Sequence, residues 1–128
     1  MSTNEELIAE ARKAAEHAYA PYSKYRVGAV AVAADGTHYT GANVENSAYG
    51  SGICAEGAAI ARASSAGVRK IDTIAVSCLD GGDTPGYPCG NCRQLMVEFD
   101  VDRVIVDGLA KGPIEHTREE LIPHGFRL

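Results

Sequence analysis

Residues 54–78 read CAEGAAIARASSAGVRKIDTIAVSC, and this stretch decides the architecture. Its first half, Cys54 to Ala66, is dense in alanine, carries Ile60 inside and runs into Gly67. Glycine suits the left-handed turn that follows a helix, so the spacing predicts a helix here. The second half, Ile71 to Cys78, sets Ile71, Ile74 and Val76 around Thr73 and reads as a mostly buried strand. A helix feeding a buried strand is the unit of a layered α/β domain.

The flanks extend that pattern. Toward the N-terminus, Leu7, Ile8, Ala11, Ala14, Ala15 and Ala18 recur with a helical period over Glu5 to Tyr19. Thr3 and Glu6 fit a capping box, and Pro21 stops the helix. Val27 to Ala33 is an apolar strand, Asp35-Gly36 is a hairpin turn, and His38 to Val44 returns antiparallel. Toward the C-terminus, Asp80 to Pro88 is a loop, Cys92 to Phe99 a helix, and Arg103 to Val106 a further strand. A short helix, Thr117 to Ile122, ends before Pro123. The order is helix, hairpin, helix, strand, helix, strand, helix. It implies a single α/β domain over residues 1–128, with a mixed sheet between helices.

Composition narrows the function. Hydrophobic residues at 45% and charged residues at 23% are ordinary for a soluble globular chain. No apolar run approaches the ~20 residues that span a bilayer. Met1 to Glu6 lacks the basic start and apolar core of a signal peptide, so a cytoplasmic location is expected. Twelve basic against 17 acidic residues give a formal charge of −5, with no Lys/Arg cluster and no Trp. Such a surface argues against nucleic acid and suits a small uncharged molecule; the lack of a spanning run argues against a membrane protein.

The chemistry lies in the cysteines. In a cytoplasmic protein Cys54, Cys78, Cys89 and Cys92 are poor candidates for disulfides. Cys89 and Cys92 form a C-x-x-C at the mouth of a helix, and Cys54 opens another. Helix N-termini favour thiolate, the form that binds zinc. A C-x-x-C alone also fits half of a structural zinc site or a redox pair. A structural site needs a fourth protein ligand, yet His17, His38, His116 and His124 stand at no ligand spacing from the pair and read as structural or solvated. Cys78, ending an apolar strand, reads as a small buried hydrophobe. What remains is three sulfurs with an open coordination position, the arrangement of catalytic zinc. Glu56 lies two residues beyond Cys54. Alone it would merely complement a helix dipole; beside three sulfurs it can move protons.

The combination of C-x-E with a later P-C-x-x-C is the zinc deaminase signature, with Cys in place of His as first ligand. From Tyr19 to about Phe126 the chain resembles the short, homotetrameric type of cytidine deaminase. The residues that carry the likeness are Pro21-Tyr22-Ser23-Lys24-Tyr25 with Val27-Gly28-Ala29, Asn43-Val44-Glu45-Asn46 with Ala48-Tyr49, Ile53-Cys54-Ala55-Glu56, Pro88-Cys89-Gly90-Asn91-Cys92-Arg93-Gln94, and Glu120-Leu121-Ile122-Pro123 with Phe126.

The resemblance implies a three-layer α/β/α fold with a mixed sheet of roughly five strands. It implies Zn2+ held by Cys54, Cys89 and Cys92 with water in the open position. Glu56 would take the water proton, protonate N3 and then the departing amine of cytidine or 2′-deoxycytidine. Tyr25 would stack on the base, where the family usually has Phe. The backbone of Ala55 and Cys89 would hold the base edge, and Asn43 and Glu45 the 3′-hydroxyl. Ser47, Tyr49 and Phe126 match positions that reach a neighbouring subunit's site. Two departures stand out: Gly57 where the family often has Arg, leaving helix starts and Arg93 to offset the sulfur charge, and Arg26 where Pro is frequent. The rival readings are a deaminase of a modified cytosine nucleoside such as blasticidin S, a non-enzymatic zinc domain, and a nucleic-acid-editing deaminase.

Overall fold

A computed structural model describes residues 2–128. Five strands form one sheet: β1 (Val27–Ala33), β2 (His38–Ala42), β3 (Ile71–Cys78), β4 (Arg103–Asp107) and β5 (Pro113–Thr117), in the order β2-β1-β3-β4-β5. Only the β3–β4 pair is parallel; the other neighbours run antiparallel, so the sheet is mixed as expected. Four helices accompany it: α1 (Asn4–Ala15), α2 (Ala55–Ser65), α3 (Gly90–Glu98) and α4 (Arg118–Leu121).

The period-2 pleat explains the layers. Val30 of β1, Ala75 of β3 and Ile105 of β4 meet Leu7, Ile8 and Ala11 of α1 on one face. On the other face Ala29, Ala31, Ile74, Val76, Val104 and Val106 meet α2, α3 and α4 through Ala55, Ala59, Ile60, Met96 and Leu121. Helices on both sides make three layers. No helix among the described residues is long and apolar enough to cross a membrane.

Two glycines set how closely helices approach. A Cβ on Gly28 would stand 2.0 Å from the Ala11 carbonyl oxygen, and one on Gly41 would stand 2.4 Å from Ala59 N and 2.7 Å from Ala55 O. The first turn of α2 therefore rests directly on the β2 backbone.

Several bounds differ from the sequence reading. The capping box of Thr3 and Glu6 forms, but α1 ends at Ala15 rather than Tyr19. Backbone pairing wins over helical period there: Tyr19 N–H donates to Asn43 O at 2.9 Å, and Tyr19 O accepts from Glu45 N at 2.8 Å. β2 stops at Ala42, because Val44 pairs with Ile53 instead. Helix α3 starts at Gly90, with Cys89 as its N-cap, two residues before the expected Cys92. The edge strand β5 was missed by residue pattern; Pro113-Ile114-Glu115-His116-Thr117 has one aliphatic side chain, and an edge strand tolerates a leading proline. Helix α2 ends as expected, with Gly67 in the left-handed region at φ 95°.

Candidate active site

The pocket opens at one end of the sheet, where β1 begins, β2 ends and β3 hands over to the loop before α3. Its volume is about 670 Å³, and it is lined by Tyr25, Asn43, Glu45, Cys54, Glu56 and Cys89 among others. Two helix starts point into it. Cys54 is the N-cap of α2 and Cys89 the N-cap of α3, each with extended backbone. Cys92 lies one turn into α3 and is fully buried beneath them.

The three sulfurs lie within 4.8 Å of one another, and Cys54 and Cys89 are 3.9 Å apart. Zinc–sulfur bonds of about 2.3 Å in a tetrahedron place sulfurs about 3.8 Å apart, so this spacing fits zinc. Among the described residues no other His, Cys, Asp or Glu group gathers this way, and none of the histidines joins it. His38 Nδ1 meets Glu10 Oε1 at 2.7 Å, His116 serves another role below, and Cys78 is buried as the strand pattern required.

Electrostatics explains why a cation belongs there. Glu56, 5% exposed in the first turn of α2, has its carboxyl pKa pushed up by burial. Burial also pushes the Cys54 thiol up, and burial together with the charges of Glu56, Cys54 and Cys89 pushes Cys92 up strongly. At Cys89 burial opposes the thiolate too, but hydrogen bonds from Cys92 and Asn91 N–H and from the neighbouring thiols outweigh it and lower the pKa. Before a cation is bound, the preference of a helix start for thiolate outweighs burial at Cys89, while at Cys54 and Cys92 burial and the neighbouring acidic groups outweigh it. Four acidic groups crowded together cannot all ionise without a compensating positive charge. Arg93 is otherwise engaged, donating to Pro88 O at 2.8 Å and Leu121 O at 2.7 Å.

Asn43 and Glu45 line the pocket just beyond β2 and also build its wall. Asn43 Oδ1 accepts from Val27 N–H and its Nδ2 donates to Tyr25 O, each at 2.9 Å. Glu45 Oε1 accepts from Tyr22 N–H at 3.0 Å and Ser23 N–H at 3.1 Å, while Oε2 accepts from Ser23 Oγ. These bonds, those of Ser23 first, hold the Glu45 carboxyl below the usual range. Tyr25, whose hydroxyl is raised in pKa by its contact with the Cys78 thiol and by burial, lines the pocket beside them.

Ala55 and Tyr49 line the pocket as well, Tyr49 at its rim and 86% exposed. Ser47 and Phe126 lie outside it. Ser47 Oγ bonds the Tyr22 hydroxyl at 2.6 Å, and the Phe126 side chain stands 67% exposed while its carbonyl accepts from Gln94 Nε2 at 3.1 Å. The sequence reading missed Tyr87, which lines the pocket while its hydroxyl meets His116 Nε2 at 2.8 Å. Its place directly before Pro88-Cys89 was the available signal. Arg26, which stands where the family often has Pro, pairs with Asp80.

A family model described as "Cytidine and deoxycytidylate deaminase zinc-binding region" matches residues 1–107. A cytidine deaminase from Sporosarcina psychrophila is 47% identical over 124 residues, covering 95% of this chain and 90% of the relative. One from Mycobacterium tuberculosis strain H37Rv is 38% identical over 123 residues, covering 95% and 88%. The crystal structure of cytidine deaminase from Burkholderia pseudomallei superposes with a TM-score of 0.89 at 39% identity, covering 98% of this chain and 100% of that one.

Proposed function

Because this chain belongs to the cytidine and deoxycytidylate deaminase family, we propose that Cys54, Cys89 and Cys92 hold its zinc and that Glu56 moves the protons of the reaction. The activity is hydrolytic deamination of cytidine, and of 2′-deoxycytidine, to uridine or 2′-deoxyuridine with release of ammonia, as pyrimidine salvage requires. The observation that supports this assignment of residues is the convergence of three sulfurs and one buried carboxyl at the floor of a nucleoside-sized pocket.

Held by Cys54, Cys89 and Cys92, zinc would supply Lewis acidity toward a water oxygen. Glu56 accepts a proton from the attacking water and delivers it to N3 of the pyrimidine, while the water oxygen adds to C4. The second water proton passes through Glu56 to the amino group, which leaves as ammonia and leaves a carbonyl at C4. A carboxyl kept out of bulk water, with its pKa raised, is suited to both halves of this transfer. Tyr25 offers a ring face to the base. The backbone groups of Ala55 and Cys89 hold its polar edge, and Asn43 and Glu45 meet the 3′-hydroxyl. Their bonds to residues 22–27 fix them in place beforehand.

Ser47, Tyr49 and Phe126 belong to contacts between subunits of a homotetramer with shared sites. Exposed Tyr22, Tyr49, Ile53 and Phe126 supply an apolar surface for that assembly. The chain is one deaminase domain, working in the cytoplasm without nucleic-acid or membrane partners. The comparisons lend no support to blasticidin S as substrate. Glu56→Gln tests the assignment: zinc should remain stoichiometric by metal analysis while kcat for cytidine falls by about 10²–10⁴. Normal turnover by a zinc-loaded Glu56→Gln protein would overturn it.

A further inference from the structure

The segment entering β1 is locked to the loop leaving β3 by a pair outside the groups assigned above. Arg26 donates from Nε to Asp80 Oδ2 at 2.9 Å and from Nη2 to Oδ1 at 3.0 Å, and its backbone N–H reaches the same Oδ2 at 2.9 Å. Leu79 N–H donates to the Arg26 carbonyl at 3.0 Å. The β1–β3 ladder ends with Val27 opposite Cys78, so this lock continues it by one step. A forked guanidinium–carboxylate pair fixes angle as well as distance. The bonds from Arg26 hold the Asp80 carboxyl at about 2, so the pair stays charged across the neutral range.

Tyr25 is the immediate neighbour. Its hydroxyl lies by the Cys78 thiol, next to Gly81 and Gly86 of the loop that Asp80 begins. A Cβ on Gly86 would come within 3.4 Å of that hydroxyl and 3.0 Å of Cys78 Cβ; one on Gly81 would lie 3.6 Å from the hydroxyl. Gly81 and Gly86 of the loop therefore border the tyrosine hydroxyl, and Gly86 lies so close to Cys78 that a side chain there would have to displace it. Asp80, which begins that loop, is tied to the residue that follows Tyr25.

We propose that the Arg26–Asp80 pair is a positioning device for Tyr25, holding its hydroxyl end against the end of β3 and the Gly81–Gly86 loop and so setting the angle at which the ring meets the substrate base. This rests on the assignment of the pocket to a cytosine nucleoside. It concerns binding of the base rather than proton transfer, so its effect falls on KM.

The test uses the zinc-loaded protein and cytidine. Arg26→Ala and Asp80→Ala should each raise KM about two- to fivefold, the scale for a partly exposed ion pair, with kcat and zinc content unchanged. The double variant should be no worse than the stronger single variant. In a Tyr25→Ala background, Arg26→Ala should add nothing. Asp80→Asn, which keeps an oxygen for the Arg26 N–H groups, should give an intermediate KM. Unchanged KM in both alanine variants, effects that multiply in the double variant, or an undiminished Arg26→Ala effect without the Tyr25 ring would each overturn the proposal. A wild-type protein without cytidine turnover would overturn the substrate assignment, and this inference with it.

Discussion

Gly41→Ala puts the geometry of the site under test from a distance. The added Cβ would stand 2.4 Å from Ala59 N and 2.7 Å from Ala55 O, both backbone atoms of α2. Ordinary carbon contacts with such atoms are about 3.4 Å, so the helix must lift by roughly 1 Å or β2 must bend. Overpacking of this kind costs about 1–3 kcal/mol. The lifted turn is the one that carries Cys54 and Glu56. A 1 Å error at a reacting centre can cost about 10²-fold, so kcat/KM for cytidine should fall by about 10- to 100-fold in a protein that still folds. Gly57→Ala, on the same helix, is the control. Its Cβ would meet Leu95 Cδ1 at 3.5 Å and Ile53 Cγ2 at 3.9 Å, which is ordinary contact. The assay is ammonia release across cytidine concentrations, with zinc content and thermal unfolding measured in parallel. A Gly41→Ala protein within about twofold of wild type in kcat/KM, with full zinc, would refute the claim that this close approach sets the site.

Two further outcomes are expected. Asp107 is 3% exposed and accepts from Arg12 at 2.7 and 2.9 Å, from Ser77 at 2.7 Å and from Leu109 N–H at 2.9 Å. Burial opposes its charge, but the Arg12 and Ser77 bonds prevail and the folded pKa is lowered. Its contribution is therefore full above the unfolded aspartate value of about 3.9 and is lost as pH falls through the lower folded value. Urea midpoints between pH 7 and 3 should decline less steeply for Asp107→Asn, which begins less stable; parallel curves would count against this. Separately, sedimentation equilibrium should give four times the 13.5 kDa chain mass, and Phe126→Ser should shift the population toward smaller species. A wild-type monomer at micromolar concentration would sink the tetramer.

The legible parts of this fold were those where a local rule and the tertiary environment agree. Thr3 with Glu6 caps α1, Asp35-Gly36 turns β1 into β2, and Ile71 to Cys78 is buried along its length. The helical period carried the expected first helix to Tyr19, because periodicity does not register a competing backbone partner such as Asn43. β5 was hidden by its polarity, an edge strand having one covered face and few apolar residues to show. At the candidate site, the gathering of Cys54, Cys89 and Cys92 was legible because zinc chemistry restricts residue types and spacing together. Tyr87 was less so: its one marker was its place before Pro88-Cys89, because an aromatic residue in a glycine- and proline-rich loop has no spacing rule of its own. The ionisation pattern of the sulfurs was not legible, since it depends on burial and mutual charge rather than on helix position alone.

The Asp35-Gly36 turn closes the end of β1 remote from Val27, and Val27 borders the pocket. Gly36 has φ 90° and open space around it, with no atom within 4 Å of an added Cβ. The molecule is thus polarised along its strands, with the reactive groups gathered at one pole. An affinity tag or fluorescent peptide spliced into the opposite pole has the full length of β1 between itself and the bound nucleoside, which makes this hairpin tip the natural attachment point for surface immobilisation of the working enzyme.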